Sequence, residues 1–209
     1  SLGHRKARAL IASGPIASAA SWPRTARLEA LDLDVVAHGA TFNTNRLDRG
    51  TALLASRLDR LPAASAAIDL GCGSGILAAL LARRGVRTSA VDVAWSACDA
   101  TQLTASANGV EVDVHRRDGL DGWPEPVDLV VTNPPFHVGA AKDTSPTREL
   151  ITQAASVLVE GGELWCVYNA HLPYLPWLRR AIGPTEIVAR DRAYVVTRSV
   201  RMRVATSTR

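Results

Sequence analysis

The feature that most constrains how this chain can fold is a glycine-rich loop placed between an apolar run and a helical pattern. Residues 66–70 are apolar around Asp69, and the helical pattern begins at Ile76. The loop between them carries three alternating glycines, Gly71, Gly73 and Gly75. Glycine suits this loop because a tight turn needs positive φ and because a Cβ would keep a ligand away from the backbone. The stretch predicts a buried strand, a tight turn and a helix whose free N–H groups face a polar or anionic ligand.

Acidic residues follow the next two predicted strands. Residues 86–92 read as a strand that ends in Asp92, about 20 residues beyond the loop, where a Rossmann-like half carries its ribose-binding carboxylate. Asp118 follows the third predicted strand. Because open α/β sheets bind ligands outside the carboxyl ends of their strands, we expect Asp118 to lie beside Asp92. A helix cap or a turn is the alternative role for Asp118.

Strands and helices alternate from residue 66 onward, which predicts a doubly wound α/β sheet. Five predicted strands end near Leu70, Asp92, Arg117, Asn133 and Tyr168. Predicted helices cover residues 76–84, 94–107, 147–159 and 174–182. Two final strands, 185–189 and 193–204, have no helix between them and predict a terminal antiparallel hairpin. The expected sheet therefore has seven strands and is mostly parallel.

The sequence predicts an N-terminal arm followed by one domain. Residues 1–27 are rich in Ala, Ser and Arg and predict a basic arm or linker, either solvated or in contact with RNA. Residues 28–209 are predicted to form one domain, which begins with a strand over 28–36 and an amphipathic helix over 51–61. Asp48 precedes this helix as a candidate N-cap.

Composition permits an RNA partner and argues against metal and membrane sites. The net charge is +4, and Lys6 and Lys142 are the only lysines among 24 basic residues. Arginine binds phosphate and stacks on bases better than lysine, although a bias toward arginine codons explains the same excess. No apolar run reaches the length of a membrane span, and three cysteines without paired spacing predict neither a disulfide nor a zinc site. We expect a cytoplasmic protein.

The clearest chemical signal is an apolar strand over residues 127–132 that runs into Asn133, Pro134, Pro135 and Phe136. The prolines stop strand pairing and fix the direction of the carbonyls that follow it. An exocyclic amine is a poor nucleophile because its lone pair is delocalised. The carboxamide oxygen of Asn133 and the carbonyl of Pro134 can each accept one of its N–H groups, which shifts the nitrogen toward sp3 geometry. Phe136 offers a face on which a base stacks. A simple turn is the alternative.

These motifs resemble those of known methyltransferases. Residues 69–75, Asp-Leu-Gly-Cys-Gly-Ser-Gly, and the pair Val91-Asp92 resemble two motifs of the class I enzymes that use S-adenosylmethionine. Asn-Pro-Pro-Phe resembles the motif of enzymes that methylate the planar amino nitrogens of bases or glutamine. From about residue 39 to residue 202 the pattern is similar to the bacterial ribosomal RNA guanine-N2 methyltransferases, the small-subunit type in particular.

The resemblance implies a Rossmann-like class I fold and methyl transfer from S-adenosylmethionine to guanine N2 of ribosomal RNA or a ribosomal subunit, with S-adenosylhomocysteine as product. It implies that Asp118 binds the adenine amino group and that Asn133 serves the target amine. The implied cofactor-binding residues are Phe42, Asp48, Gly50, Asp69, Gly71, Gly73, Gly75, Asp92, Asp118 and Asn133, of which the first three resemble a cofactor lid. The implied catalytic residues are Asn133, Pro134, Pro135 and Phe136.

Three alternatives stay open. The chain could methylate a protein glutamine or another nucleobase amine, or it could bind S-adenosylmethionine and RNA without catalysis. It could also be a dinucleotide oxidoreductase, although its loop is one residue shorter than G-x-G-x-x-G. Family members commonly carry an inactive duplicated domain upstream, where this sequence has only a short arm. Either an upstream part is missing from this sequence, or the chain is a single-domain member with a different RNA target.

Overall fold

The fold is seen in a computed structural model that describes residues 2–4, 7–9, 14, 22–134 and 145–202. Its strands are β1 (Leu2–His4), β2 (Ala7–Ala9), β3 (Arg24–Leu28), β4 (Leu33–Ala37), β5 (Ala66–Leu70), β6 (Arg87–Asp92), β7 (Asp113–Arg116), β8 (Val127–Thr132), β9 (Leu158–Asn169), β10 (Thr185–Arg190) and β11 (Tyr194–Val200). Its α-helices are α1 (Arg49–Ala55), α2 (Ile76–Arg83), α3 (Trp95–Ala107), α4 (Ser145–Val157) and α5 (Leu175–Ala181).

Seven strands form the central sheet in the order β10-β11-β9-β8-β5-β6-β7. The pairs from β7 to β9 are parallel, and β11 is antiparallel to both of its neighbours. The sequence order of the strands reverses between β5 and β8, which makes this pair the topological switch point, where open α/β sheets bind ligands. The predicted Rossmann-like fold with a terminal antiparallel hairpin is confirmed.

Both faces of the sheet are covered, and alternate residues of the central strands point to opposite faces. On β8, Val130 packs with Ile151 of α4 and Leu178 of α5. Its neighbours in sequence pack on the other face, against α1 and α2. This burial on both sides explains why the central strands read as continuous apolar runs.

The region before the glycine loop differs from its prediction. Residues 28–36 do not form one strand, because Asp32 adopts a left-handed conformation with φ of 50° and ends a short 3-10 turn over Glu29–Leu31. The result is an antiparallel hairpin of β3 and β4, and β3 crosses the predicted domain boundary after residue 27. The helix predicted over 51–61 is shorter, since α1 ends at Ala55 and a 3-10 turn follows.

The β3–β4 hairpin is held to α3 by hydrogen bonds with polar side chains of the helix and of its C-cap residue, Asn108. Thr104 Oγ1 accepts from the backbone N–H of Val36 at 3.0 Å and donates to the Val36 carbonyl at 3.2 Å. Asn108 bonds both backbone groups of Asp34 in the same way. These side chains thus provide the hydrogen bonds that a neighbouring strand would otherwise provide. They satisfy backbone N–H and C=O groups of β4, which is not part of the seven-stranded sheet.

Candidate functional site

The glycine loop joins β5 to α2 at the carboxyl edge of the sheet. Gly71, Gly73 and Gly75 have φ values of 75°, 56° and 75°, a region that L side chains rarely adopt. A Cβ on Gly75 would lie 2.8 Å from the Cα of Thr101, so this glycine is needed where α2 approaches α3. A Cβ on Gly71 would meet nothing within 4 Å, so the loop leaves open space above its backbone there. The two ends of the loop therefore have different reasons for glycine, packing at Gly75 and ligand access at Gly71.

Asp69 lies beneath the loop and is fully buried. Its carboxylate accepts a hydrogen bond from the backbone N–H of Ala78 in α2 at 2.9 Å. Burial, the largest effect, and the nearby charge of Asp92 together raise the pKa of this carboxyl group to about 7, against the opposing effect of the Ala78 hydrogen bond. Asp69 is thus a structural link between β5 and α2 that also forms part of the wall of the cleft.

Asp92 ends β6 beside the glycine loop, as the sequence predicts. One carboxylate oxygen accepts from the N–H of Gly73 at 3.2 Å and the other from the N–H of Ala94 at 2.9 Å. These bonds fix the orientation of the carboxylate at the edge of the loop. Its neighbours Val93 and Trp95 are 61% and 58% exposed, so apolar surface lies next to this charged group. A carboxylate beside apolar surface suits a ligand with hydroxyl groups and a flat ring.

Phe42 lies in the loop between β4 and α1 and covers part of the glycine loop. The position of a Cβ on Gly73 lies 3.9 Å from the Cβ of Phe42. Phe42 is 66% exposed. The loop is held to α3 by a hydrogen bond from Thr41 Oγ1 to the Ser96 carbonyl at 3.2 Å. An aromatic side chain is therefore held at the mouth of the cleft.

Asn133 follows β8 on the other side of the switch point. Its amide nitrogen donates to Asp48 Oδ2 at 2.9 Å and to Thr51 Oγ1 at 3.0 Å. Asp48 Oδ2 also accepts from the Thr51 N–H at 3.0 Å, which confirms Asp48 as the N-cap of α1. No described residue hydrogen-bonds the carboxamide oxygen of Asn133. As far as the described residues are concerned, that oxygen keeps its capacity to accept a hydrogen bond from a substrate.

Gly50 has a packing reason for being glycine. A Cβ there would lie 3.0 Å from Asp48 Oδ2 and 3.1 Å from Cε1 of Tyr194. A larger residue at position 50 would push α1 away from β11 or displace the carboxylate of Asp48. Gly50 thus keeps the helix N-terminus close to the sheet.

Five of the predicted site residues, Phe42, Asp48, Asp69, Gly71 and Asn133, line one cleft. The cleft is lined by Phe42, Asn43, Arg46, Asp48, Thr51, Asp69, Gly71, Cys72, Ser74, Ile76, Leu77 and Asn133. Asp118 is not among them: it is exposed, two residues beyond the end of β7, and its cofactor role stays a prediction. Pro134 is buried at the end of β8, whereas Pro135 and Phe136 lie outside the described residues.

Thr51 is a site residue that the sequence reasoning missed. It lies three residues after the N-cap Asp48, and its hydroxyl contacts Asn133 across 82 positions of sequence. The local signal is only that of a capped helix, so the sequence gives no reason to connect it with Asn133. Within the residues that the structure describes, no group of three His, Cys, Asp or Glu side chains could hold a metal ion. No helix in the described ranges is both long and apolar enough to cross a membrane.

Comparisons with known proteins agree with this geometry. Residues 32–198 match the family model described as methyltransferase small domain. The protein named ribosomal RNA small subunit methyltransferase C from Pseudomonas fluorescens is 40% identical over 171 residues, 81% of this chain and 51% of the relative. The protein of the same name from Chromohalobacter salexigens is 39% identical over 187 residues, 88% of this chain and 55% of the relative. The chain thus spans about half the length of these curated relatives.

A solved structure gives the same result at the level of the fold. The structure of a T. thermophilus 16S rRNA N2 methyltransferase, in complex with AdoMet and guanosine, superposes with a TM-score of 0.77 at 25% identity, covering 86% of this chain and 50% of that chain. A Pyrococcus furiosus methyltransferase shares the fold, with a TM-score of 0.64 at 16% identity over 84% of this chain and 91% of that one. The family model, the curated relatives and the seven-stranded sheet agree. This chain belongs to the methyltransferase small domain family.

Proposed function

We propose that the chain transfers a methyl group from S-adenosylmethionine to an exocyclic amine, N2 of a guanine in ribosomal RNA. The observation that carries this proposal is the state of the Asn133 carboxamide. Its nitrogen donates to Asp48 and Thr51, and none of the described residues hydrogen-bonds its oxygen. Asn133 lines the cleft beside the glycine loop.

The chemistry of the residues in and beside the cleft suits S-adenosylmethionine. Gly71 leaves open space where a Cβ would stand, so a ligand can approach the backbone. The carboxylate of Asp92 would accept from the ribose hydroxyls, and the exposed faces of Val93 and Trp95 would contact an apolar ring. Phe42 would cover the ligand from above Gly73. S-adenosylmethionine, when bound, supplies an electrophilic methyl group on a sulfonium and becomes S-adenosylhomocysteine on transfer.

Asn133 and Pro134 would prepare the amine for attack. The oxygen of Asn133 and the carbonyl of Pro134 accept the two N–H groups of the amine, which withdraws its lone pair from the ring and directs it out of the ring plane. Because the amine becomes tetrahedral during transfer, these hydrogen bonds are strongest in the transition state and lower the barrier. The methylated amine is acidic and loses its extra proton to water, so no general base is required. Pro135 and Phe136 keep their predicted roles in shaping the loop and stacking the base.

The choice of guanine in ribosomal RNA rests on the relatives. The curated relatives are named as small subunit methyltransferases, and the T. thermophilus structure contains AdoMet and guanosine. Many of the chain's basic groups are exposed arginines, including Arg46 at the cleft, which suits a polyanion. We therefore propose the small ribosomal subunit or its RNA as partner and the cytoplasm, where ribosomes are assembled, as location.

The test is transfer of labelled methyl groups to ribosomal RNA and to ribosomal subunits isolated from a strain that lacks the gene. The proposal predicts N2-methylguanosine at one position by mass mapping, and its formation roughly 10²–10³ more slowly with Asn133→Ala. Label in a protein glutamine, or in a different nucleoside, would contradict the proposed substrate. Tight binding of S-adenosylmethionine without transfer to either substrate would indicate a binding module instead.

A further inference from the structure

We propose that Asp48 and Thr51 are positioning residues that decide which atom of the Asn133 carboxamide faces the amine. This inference rests on the proposed function and names two residues that orient the Asn133 carboxamide for methyl transfer. A carboxamide has two ends of similar shape and opposite hydrogen-bonding character, since its oxygen accepts and its nitrogen donates. Only one of the two orientations can accept N–H groups from a substrate.

The contacts select that orientation. Asp48 Oδ2 and Thr51 Oγ1 both accept from the amide nitrogen of Asn133, at 2.9 and 3.0 Å. A carboxylate can only accept, so turning the amide by 180° would place the Asn133 oxygen against the charge of Asp48. The turned amide would also present N–H groups to the amine, where the reaction requires an acceptor. The charge of Asp48 thus opposes the unproductive orientation.

The carboxylate of Asp48 is itself held in place. The oxygen that binds Asn133 also accepts the N–H of Thr51 at 3.0 Å as the N-cap of α1. Gly50 brings the helix start against Tyr194, and α1 packs on β9 and β11. Asp48 and Asn133 are half-buried and Thr51 is buried, so water competes weakly for these hydrogen bonds. The position of Asn133 is therefore set by the docking of α1 as well as by its own strand.

This role differs from the cofactor contact that the sequence suggests for Asp48. A residue that acts through Asn133 changes the rate of transfer and leaves the affinity for S-adenosylmethionine unchanged. A residue that contacts the cofactor changes its affinity directly. The two roles are separated by measuring the single-turnover rate at saturating cofactor together with the dissociation constant of the cofactor.

The first test uses Thr51→Val, which keeps the shape and the backbone N–H but removes the hydroxyl, with Thr51→Ser as the matched control. We expect Thr51→Val to lower the single-turnover rate roughly tenfold, the loss typical of one hydrogen bond, and Thr51→Ser to restore most of it. Cofactor affinity and melting temperature stay near wild type in both. In an Asn133→Ala background, Thr51→Val has no further effect, because its partner is gone.

A second test exchanges the partners. Asn133→Asp places a second carboxylate against Asp48, and like charges at this distance repel. Asp48→Asn removes this repulsion, and its amide oxygen can take the position of Oδ2 and still accept from the helix N-terminus. We expect the double variant Asp48→Asn/Asn133→Asp to transfer methyl roughly tenfold faster than Asn133→Asp alone. A side chain that only supports the fold would not give this rescue.

Three results would overturn the inference. A wild-type rate in Thr51→Val, with Asn133→Ala slow, removes the positioning role and leaves the proposed function standing. An undiminished effect of Thr51→Val in the Asn133→Ala background shows that Thr51 acts by another route. A wild-type rate in Asn133→Ala overturns both this inference and the proposed mechanism. Support consists of the slow Thr51→Val, its loss of effect without Asn133, and the rescue by exchange.

Discussion

The two sides of the switch point are built in different ways. On the glycine-loop side, buried or half-buried carboxylates bind backbone N–H groups close in sequence: Asp69 binds Ala78, 9 residues on, and Asp92 binds Gly73, 19 residues back. On the other side, Asn133 is held by side chains of α1 that lie 85 and 82 residues away. The first side is held by hydrogen bonds to the backbone and suits cofactor binding. The second side is a network of side chains and suits the orientation of an acceptor group. Mutations on the glycine-loop side should therefore affect cofactor affinity and stability, whereas mutations on the Asn133 side should affect the rate of methyl transfer.

The largest effect is expected on the Asn133 side. Asn133→Ala removes an oriented acceptor from the reacting amine and should lower kcat by roughly 10²–10³. The affinity for S-adenosylmethionine should stay within about twofold, because the glycine-loop side is untouched. Methyl-transfer kinetics and calorimetric cofactor titration measure the two quantities on the same sample. Equal losses in both would mean that the two sides are not separate.

The buried carboxyl group of Asp69 should make the glycine-loop side sensitive to pH. The pKa of Asp69 in the folded protein, about 7, lies above the ordinary value of 3.8, so the folded state holds this proton more tightly than the unfolded state. The contribution of Asp69 to stability is therefore greatest at low pH, falls as the pH rises from about 4 to 7, and is constant above that. At about 1.4 kcal/mol per pKa unit, the difference between 3.8 and about 7 makes this loss on the order of 4 kcal/mol.

Asp69→Asn keeps an oxygen for the Ala78 N–H and removes this titration. We expect the unfolding free energy of the variant, relative to wild type, to increase between pH 4 and pH 7. Denaturant unfolding at several pH values measures this difference. A difference that does not change with pH would show that Asp69 titrates as it does in the unfolded chain.

The glycine loop should also be sensitive to a larger side chain at Gly75, where the loop packs against α3. Gly75→Ala combines a positive φ with a Cβ only 2.8 Å from the Cα of Thr101, and it should destabilise the fold by about 2–3 kcal/mol. Gly85→Ala is the matched control, because its φ is +80° but nothing lies within 4 Å of the new Cβ. The control should cost about 1 kcal/mol in the same denaturation experiment. Equal costs would mean that contact with Thr101 contributes nothing.

The smallest effects are expected at Asp92 and Asp118. Asp92→Ala should weaken S-adenosylmethionine binding by one to two decades, through loss of a charge-assisted hydrogen bond worth about 1.5–3 kcal/mol. Asp118→Ala should weaken binding less, since Asp118 is exposed, whereas Asp92 is half-buried and hydrogen-bonded to the glycine loop. Isothermal titration of both variants makes the comparison. A greater loss at Asp118 would mean that the cofactor extends further along the sheet edge than the cleft indicates.

The difference between the two sides also explains what could be predicted from the sequence. The glycine loop, Asp69 and Asp92 are local features, because the strand, the turn and the helix that form them are consecutive in sequence. The alternation of strands and helices was enough for the seven-stranded sheet because burial on both faces leaves long apolar runs. Strand ends after Leu70, Asp92 and Asn133 were placed within one residue.

What could not be predicted depends on tertiary contacts. Thr51 looks like any residue in the first turn of a capped helix, and only the docking of α1 brings its hydroxyl to Asn133. The pattern of residues 28–36 predicts a single strand and misses the turn inside it, because the residue with left-handed φ there is Asp32 and no glycine marks it. The helix predicted over 147–159 extends too far, since α4 ends at Val157 and β9 begins at Leu158 and runs through Gly161 and Gly162. In each case a distant partner or an unusual backbone conformation decided the outcome.

The most direct test of the separation between binding and transfer is the single-turnover rate as a function of S-adenosylmethionine concentration in Asp92→Ala and Asn133→Ala, with ribosomal RNA in excess. We predict that saturating cofactor returns Asp92→Ala to within about threefold of the wild-type rate, because its loss is one of cofactor affinity. Asn133→Ala should stay roughly 10²–10³ below wild type at every concentration. A rate in Asn133→Ala that recovers with cofactor, or one in Asp92→Ala that does not, would contradict the account.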